Sequence, residues 1–531
     1  MPFVLRNITL DPGTEESSLR PLVAARLGIH DSEITSFTLV RKGVDARKKG
    51  RIKLVYTVEF TLRDESRLPV GGDLSRVEPR KLPRFPRVGR PGVGEGIVIV
   101  GMGPAGLFAA LRLAEYGLTA LVLERGRRVD ERARDVSRFW REGVLSEESN
   151  VQFGEGGAGT FSDGKLTTRV KDENCAWVLQ QLVRYGAPPE ILYQAKPHIG
   201  TDRLRGVVKG IREKLDQAGF RISFESRLSA LQTKSGRVSG IVVNEEAEHP
   251  CDTLVLAPGH SARDTYTMLH LSGVLLEQKP FAVGLRVEHP QSLINAIQYG
   301  EKAHPSLPPA EYAQAYNNEK TGRSAYSFCM CPGGVVVAAA SEAGAVVVNG
   351  MSGYRRNAPN ANSALVATVG PADFGDPSPL AGIEFQRALE RRAFQAGGGG
   401  YLAPAQNLLA FLGQGRGRLD SSYKPGVTES DLGLLLPQPV TSTLREGVRF
   451  FEQRMRGFIT AEATLTGVET RTSAPLRIVR GADLQSVSHP GLYPTGEGAG
   501  YAGGIMSAAL DGIRVADAIA ARLGAADQRA R

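Results

Sequence analysis

The stretch Gly96–Gly126, GIVIVGMGPAGLFAALRLAEYGLTALVLERG, decides the fold. Ile97–Val100 is a short, wholly apolar run of the kind that forms a strand buried on both faces. Gly101, Gly103 and Gly106 follow as Gly-x-Gly-x-x-Gly, Leu107–Tyr116 carries a helical apolar pattern, and Thr119–Leu123 reads as a second buried strand. Glu124 closes that strand eighteen residues after Gly106. Each part has a task in holding a dinucleotide. Gly101 permits the tight turn. Gly103, with Pro104 and Ala105 after it, lets backbone N–H groups reach a pyrophosphate. Gly106 lets helix and sheet pack closely, and the helix N-terminus favours the anion. Glu124 can accept hydrogen bonds from a ribose diol and repels a 2′-phosphate, so NADP is not expected here. Arg125 is assigned to the same site.

The turn alone does not separate FAD from NAD, whereas the end of the chain does. GLYPTGEGAGYAGGIMSAALDG (Gly491–Gly512) repeats strand, turn, acid, Gly pair and helix. A late segment of this form resembles the one that holds the ribityl chain and ring in flavoproteins of the glutathione-reductase type. The resemblance places Gly496 and Glu497 at the ribityl hydroxyls. It places Gly503, Gly504 and Ile505 at the pyrimidine side of the ring, where a helix N-terminus stabilises the charge of reduced flavin. The usual acid is Asp, one methylene shorter than Glu497. LVLAPGHSA (Leu254–Ala262) resembles the mid-chain Ala-Thr-Gly stretch of that fold, with Pro258 for Thr and with Gly259 at the cofactor.

Between these stretches lies VQFGEGGAGTFSDGKLTTR (Val151–Arg169), in which five of nineteen residues are Gly. No strand of the required kind precedes it, so it is not a second dinucleotide turn. In this fold such a stretch passes the pyrophosphate and runs along the flavin ring. Gly156 and Gly157 let the backbone approach. Thr160 and Ser162 are expected to hydrogen-bond the cofactor, and Lys165 to reach a phosphate or the ring. A Gly-rich surface loop is the competing reading.

The whole chain resembles the bacterial FAD-dependent oxidoreductases known broadly as FAD-dependent dehydrogenases or NAD(P)/FAD-dependent oxidoreductases. VQFGEGGAGTFSDGKLTTR, SFCMCPGG, GVETRTSAPLRI, GLYPTGEGAGYAGGIMSAA and, near the start, DARKKGRIKLVYTVEF carry the resemblance. It implies non-covalent FAD and a redox role without naming a reaction.

The fold expected is α/β: a Rossmann-like FAD-binding domain split by an inserted β-rich α+β substrate domain, with a small N-terminal α+β domain. Residues 1–90 make the N-terminal domain and linker, 91–275 the first part of the FAD domain, 276–445 the insertion and 446–531 the second part. At 531 residues the chain can bury several cores. Its 62 Gly exceed the usual share of about 7%. The N-terminal domain is read as strand Phe3–Leu10, helix Glu15–Leu27 and strands Ile34–Val40 and Ile52–Leu62, with RKGVDARKKGR as a hairpin tip. Leu68–Gly96, rich in Pro, Gly and Arg, reads as a linker or strap. In the insertion, FAVGLRV, AYSFCMC, GVVVAAA and AVVVNG predict an antiparallel meander with turns at PGG and SEAG.

Residues 1–90 hold 18 Lys/Arg against 11 Asp/Glu, +7 of the chain's net +9. A solvated basic face is the preferred reading over nucleic acid, because no aromatic platform accompanies the run. No apolar run reaches the ~18 residues of a membrane span, and the opening lacks a secretory pattern, so the cytoplasm is the expected address. Four Cys make no disulfide framework.

For catalysis the candidates are Lys165, His260, Cys329, Cys331, Tyr354 and Arg355. On a regular strand Cys329 and Cys331 share a face; a redox pair is one reading and buried packing the other. With no further ligands close by, no metal site is expected. Cys175 and Cys251 look isolated and fit packing. His260 fits a hydrogen-bonded turn residue better than a base. Tyr354, Arg355 and Arg356 could meet an acidic substrate, and Gly397–Gly400 could hinge a lid. There is no second Gly-x-Gly-x-x-Gly, so NAD(P)H enters only as a transient donor visiting the flavin. The function expected is transfer of a hydride or electron pair between a small organic substrate and FAD. The alternatives are a flavin monooxygenase and an RNA-associated flavoprotein using the basic N-terminal domain.

Overall fold

The computed structural model describes residues 1–64, 71–77, 85, 88, 96–300 and 304–529. Its centre is a five-stranded sheet in the spatial order Leu492–Pro494, Thr253–Leu256, Ile97–Val100, Leu121–Leu123, Arg221–Ser223. Every neighbouring pair is parallel. The two strands at its middle are buried along their whole length, which explains their unbroken apolar sequence. The helix Pro104–Glu115 leaves the central strand through the Gly turn, with Pro104 at its first position, where its missing N–H is no loss. The C-terminal helix Ile505–Arg529 crosses it so closely that a side chain at Gly512 would lie 2.1 Å from the Ala105 carbonyl.

The second body is an eight-stranded sheet. Phe281–Pro290 lies near its centre, flanked by Asn360–Val369 and Thr464–Glu469 in antiparallel register. The last of these strands lies beyond residue 445, where the sequence reading closes the insertion. Its run of six buried residues belongs to this sheet rather than to the parallel one. PGG does not turn the chain. Ser324–Ala338 is a single strand that carries register shifts between Phe328 and Cys331 and between Cys331 and Gly334. Cys329 (φ +46°) and Gly333 (φ +45°) are the left-handed residues of these bulges. The SEAG stretch does reverse the chain, and Val348–Met351 pairs back on Val335–Ala338.

The N-terminal sheet has the order Ile34–Asp45, Lys53–Leu62, Phe3–Leu10, Leu74–Arg76, with the helix Leu19–Leu27 packed on it. Its hairpin tip does not project freely. Ile52 is buried in the core of the large sheet and Ala46 packs beside it. Lys42 exchanges backbone hydrogen bonds with Tyr193 and Ala195 of the central body. Four of its basic residues are paired within the unit, Lys42 with Glu16, Lys53 with Asp11, Arg26 with Asp73 and Arg20 with Asp31, which leaves the net excess of positive charge unchanged. Most of the stretch read as a linker, and the boundary at residue 90, lie outside the described residues. Within it, Phe85 and Val88 contact Tyr116 at the end of the helix Pro104–Glu115. Among the described residues no helix is long and apolar enough to cross a membrane.

Candidate functional site

The Gly turn, the loop 151–169, the mid-chain Pro-Gly and the C-terminal segment meet around one cavity of about 1190 Å³. That exceeds the usual small-ligand range of about 300–1,000 Å³. Its long wall begins at Gly101, Gly103, Pro104 and Ala105 and runs past Gly157–Gly159 to Glu497 and Gly503–Ile505. Its far end lies under the large sheet, at Tyr312–Ala315, Tyr326 and Phe328–Met330.

Backbone contacts explain the glycines. A side chain at Gly101, which has φ +99°, would meet the Ala257 carbonyl at 2.1 Å. One at Gly106 would meet the Gly101 carbonyl at 1.9 Å, so helix and strand touch through bare backbone. Gly106 therefore acts behind the cavity wall and does not line it. Gly103 caps the helix without any side-chain hydrogen bond, so the first-turn amides point into the cavity unsatisfied by a cap.

The loop 151–169 lies between the two helix N-termini. A side chain at Gly157 would come within 2.9 Å of Gly103 Cα, and one at Gly159 within 3.1 Å of Ile505. The loop is fastened from behind by a residue the sequence does not advertise. Arg132 is fully buried on the helix Val129–Glu142. It donates to the carbonyls of Asn150 (2.8 Å), Val151 (3.0 Å), Gly154 (3.2 Å) and Glu155 (2.7 Å). Glu155, also fully buried, accepts from the Val129 amide and from Arg212, both at 2.7 Å. Gly156 does not reach the cavity: its amide donates to the Met102 carbonyl. Thr160 is buried, its hydroxyl directed at the Glu155 carbonyl. Ser162 lines the cavity, but its hydroxyl donates to the Gly159 carbonyl and accepts from the Gly164 amide, bracing the loop itself.

Glu124 sits at the cavity edge with both oxygens already in use. Oε2 accepts from the Met102 amide at 2.9 Å, and Oε1 from the amides of Gly126 and Gly154. It thus ties the turn to the loop, and its remaining lone pairs are what a ribose can use. Arg125 lines the cavity while its guanidinium is held by Glu148 and Asp264 over the face of Phe153. Gly496 is a packing residue, its amide on Asp511 and its Cα against Ala105. Gly259 lines the cavity, and Tyr266 clamps its carbonyl to that of Gly498 through one hydroxyl.

Glu497 differs from all of these. Its carboxylate faces the cavity and makes no hydrogen bond or ion pair among the described residues. Burial pushes its pKa up to about 7, negative charge at the nearby Cys329 sulfur adds to this, and Lys279 opposes it. Beside it, side chains at Gly503 and Gly504 would meet nothing within 4 Å. An unpartnered acid next to open space at a helix N-terminus fits a polyhydroxyl chain and an electron-accepting ring.

The catalytic candidates separate. Lys165 reaches the cavity, where its ammonium donates to the Met330 carbonyl and lies 3.8 Å from Glu311. His260 also lines it, bonded to Ser261; burial, then Arg471 and Arg263, lower its pKa to about 4, so it is neutral and a weak base at neutral pH. Cys329 is on the wall and Cys331 behind it, because the bulge breaks the expected common face. Tyr354, Arg355 and Arg356 are elsewhere. Tyr354 stacks on His198 and Arg203, Arg355 is exposed, and Arg356 is buried on Asp163. Gly397–Gly400 close a turn behind the helix Ala381–Ala396, away from the cavity.

Sequence reasoning missed two buried ionic groups. Arg263 and Arg471 share Glu390, with Arg471 reaching the cavity wall. Arg286, fully buried, pairs with Glu469 at 2.9 Å. Single charges inside apolar strands were the available signal, in FAVGLRVEHP and GVETRT. Tyr312 and Gln314, which line the far end of the cavity, carry a hydroxyl and an amide oxygen that are buried with no hydrogen-bond partner found among the described residues.

A family model described as the C-terminal domain of FAD-dependent proteins matches residues 280–472, and a domain of unknown function matches residues 4–61. An uncharacterised protein of Clostridium beijerinckii is 48% identical over 527 residues, covering 98% of each chain. Solved structures are more distant. A geranylgeranyl bacteriochlorophyll reductase-like protein of Thermoplasma acidophilum has TM-score 0.34 and 14% identity, over 81% of this chain and 79% of that one. A glycerol-3-phosphate dehydrogenase of Bacillus halodurans complexed with FAD has TM-score 0.36 and 11% identity, over 80% and 64%. The flavin-dependent brominase Bmp2 has TM-score 0.36 and 13% identity, over 81% and 79%.

Proposed function

We propose a reaction class for this chain, which belongs to the family of FAD-dependent oxidoreductases together with its Clostridium beijerinckii relative: it moves a hydride or an electron pair between a small organic substrate and FAD. The observation that carries the proposal is the continuity of the cavity. One wall is built for a dinucleotide, and the same space continues under the large sheet to a region lined by Tyr312, Gln314 and Tyr326. FAD supplies the two-electron chemistry when bound. The chain's residues supply the rest. The amides of Gly103 and Ala105 would hold the pyrophosphate, with Gly157 closing over it. Glu497 accepts from the ribityl hydroxyls. The N-terminus of Ile505–Arg529 sets positive potential where charge builds on reduction. Tyr312 and Gln314 line the end of the cavity where substrate would sit. Lys165, fixed on the Met330 carbonyl, lines the same wall.

Anaerobic reduction with NADH, NADPH and a panel of metabolites tests this reading. Bleaching of the flavin absorbance by one donor is expected and identifies it. Failure of every donor, with the cofactor bound, would remove the dehydrogenase reading. Oxygen consumption coupled to substrate under NAD(P)H would instead favour the monooxygenase. The basic hairpin docks into the large core through Ile52 and Ala46 and keeps Arg41, Arg47, Lys48, Lys49 and Arg51 exposed, with Arg47 paired to Asp45; the lack of an aromatic platform beside them supports a solvated face over an RNA module.

The acid at Glu497 makes cofactor binding pH-dependent. Hydroxyl donors favour the ionised carboxylate, so FAD binding releases a proton from a group that titrates at about 7 in the empty site. Apparent FAD affinity should rise roughly tenfold between about pH 6 and pH 8. Glu497→Gln should flatten that profile, as read by fluorescence titration of the apoprotein. The sign for folding is opposite. The raised pKa makes this group's contribution to apoprotein stability best below the ordinary carboxyl value of 4.5, and it is lost as pH rises through about 7.

A further inference from the structure

Cys329 and Cys331 stand where the FAD wall meets the substrate end of the cavity. Cys329 is half-buried on the wall, in the same space as Lys165, Glu497 and Gly503, while Cys331 is buried behind it. Three observations argue against two unrelated packing residues. First, the strand is broken at this point: Cys329 is a non-glycine residue at φ +46°, with register shifts on either side of Cys331. Positive φ costs an L-residue energy and clusters at functional positions. Second, the Cys331 side chain folds back towards its neighbour, with Sγ 3.3 Å from the Cys329 carbonyl oxygen. Two residues of extended chain span about 6.6 Å between Cα atoms, close to the upper limit of about 6.8 Å for a disulfide, and a left-handed residue shortens the span. Third, the fully buried Arg286 holds both residues: Nη2 donates to the Cys329 carbonyl at 2.8 Å and lies 3.6 Å from Cys331 Sγ. The Cys331 thiol, Lys165 and Arg286 all favour thiolate at Cys329 against the opposing effect of burial, while Cys331 is held as the thiol.

We infer that Cys329 and Cys331 form a dithiol–disulfide couple that exchanges an electron pair with FAD, and that Cys329 is the member open to an organic disulfide or thiol entering the cavity. In the reducing direction the Cys329–Cys331 S–S bond accepts two electrons and one proton from the reduced, singly protonated anionic cofactor. The bond breaks, Cys331 leaves as thiol and Cys329 as thiolate, and the cofactor is left oxidised. Cys329 thiolate then attacks an organic disulfide and expels one thiolate. Cys331 gives up its proton to the departing sulfur, displaces the second half as a thiol and closes the internal bond again. This inference rests on the flavoenzyme reading, yet its tests read the thiols themselves.

The holoprotein is equilibrated anaerobically with oxidised or reduced glutathione, alkylated under denaturing conditions and mapped by mass spectrometry. Under reduced glutathione all four cysteines should be alkylated. Under oxidised glutathione Cys329 and Cys331 should lose alkylation together and appear as one peptide lighter by two hydrogens, while Cys251 remains alkylated. Reductive titration should then take one electron pair per chain beyond that needed to bleach the flavin, and Cys331→Ala should lose that extra pair. Cys329 and Cys331 both remaining alkylated, or a stable glutathione adduct on Cys329 with Cys331 free, would overturn the couple. So would equal electron uptake by wild type and Cys331→Ala. If Cys331→Ala does not fold, the wild-type mapping decides alone. A flavin that bleaches with no thiol change refutes the couple and leaves the flavoenzyme reading standing.

Discussion

Arg132→Met should lower the unfolding free energy of the apoprotein by about 2–6 kcal/mol, because two buried carbonyls lose their donor at about 1–3 kcal/mol each. The helix Val129–Glu142 would keep its apolar contacts, since Met fills much of the same volume. What is lost is the guanidinium fork that satisfies four carbonyls of the loop Asn150–Glu155. The Gly154 and Glu155 carbonyls keep a second donor in the Gly157 amide and the Thr160 hydroxyl, but those of Asn150 and Val151 have no other donor among the described residues, so water must enter or the loop must move. The same loop carries Gly157 to the pyrophosphate turn, so FAD affinity should fall at least ~10-fold, which corresponds to about 1.4 kcal/mol. Arg132→Lys should restore little, because an ammonium cannot serve carbonyls spread around a planar fork. Urea denaturation of the apoprotein and a flavin fluorescence titration measure the two effects. A wild-type urea midpoint in Arg132→Met would refute the anchoring role.

Gly101→Ala should abolish cofactor retention. The added methyl would sit 2.1 Å from the Ala257 carbonyl, on a backbone with φ +99° that L-residues rarely adopt. The central strand and its parallel neighbour Thr253–Leu256 must separate, or the turn must flip and withdraw its amides. Overpacking of this kind costs about 1–3 kcal/mol before the dihedral strain is added. The variant should elute colourless from a column on which the wild type stays yellow, with a lowered melting temperature. Gly503→Ala is the matched control, because a methyl there meets nothing within 4 Å in the empty site. It should fold with wild-type stability and disturb only the binding of the ring. Equal FAD retention by Gly101→Ala and wild type would contradict the assignment of this turn.

The sequence spoke clearly wherever backbone touches backbone. Gly101, Gly106 and Gly157 occupy places where any side chain would collide with main chain, so their spacing survives as a readable pattern. The composition of Val151–Arg169 announced a close approach for the same reason. It did not tell which residues face the cofactor. Thr160 and Gly156 turn inward because the loop needs its own hydrogen bonds, and Ser162 spends its hydroxyl on the loop. Buried arginines were the harder part. Arg132 lies in VDERARDVSRFWRE, where every charged residue looks solvated, and nothing local marks the one that turns inward. Arg356 read as a substrate contact because Asp163, its partner, lies 193 residues earlier. PGG read as a turn because Pro and Gly usually end strands. Here Gly333 accommodates the Arg356 carbonyl at a distance no side chain permits, so the strand continues through a bulge.

The central claim is that one cavity seats FAD along the wall from Gly103 to Ile505 and leaves the space under the large sheet for a second molecule. The most direct measurement is a crystal structure of the FAD-loaded protein. The pyrophosphate is expected at the amides of Gly103 and Ala105, a ribityl hydroxyl on Glu497, and the ring in the open space before Gly503 and Gly504, with Cys329 and Lys165 at its substrate side. Density for the ring at the Glu124 end, or for FAD outside this cavity, would contradict it.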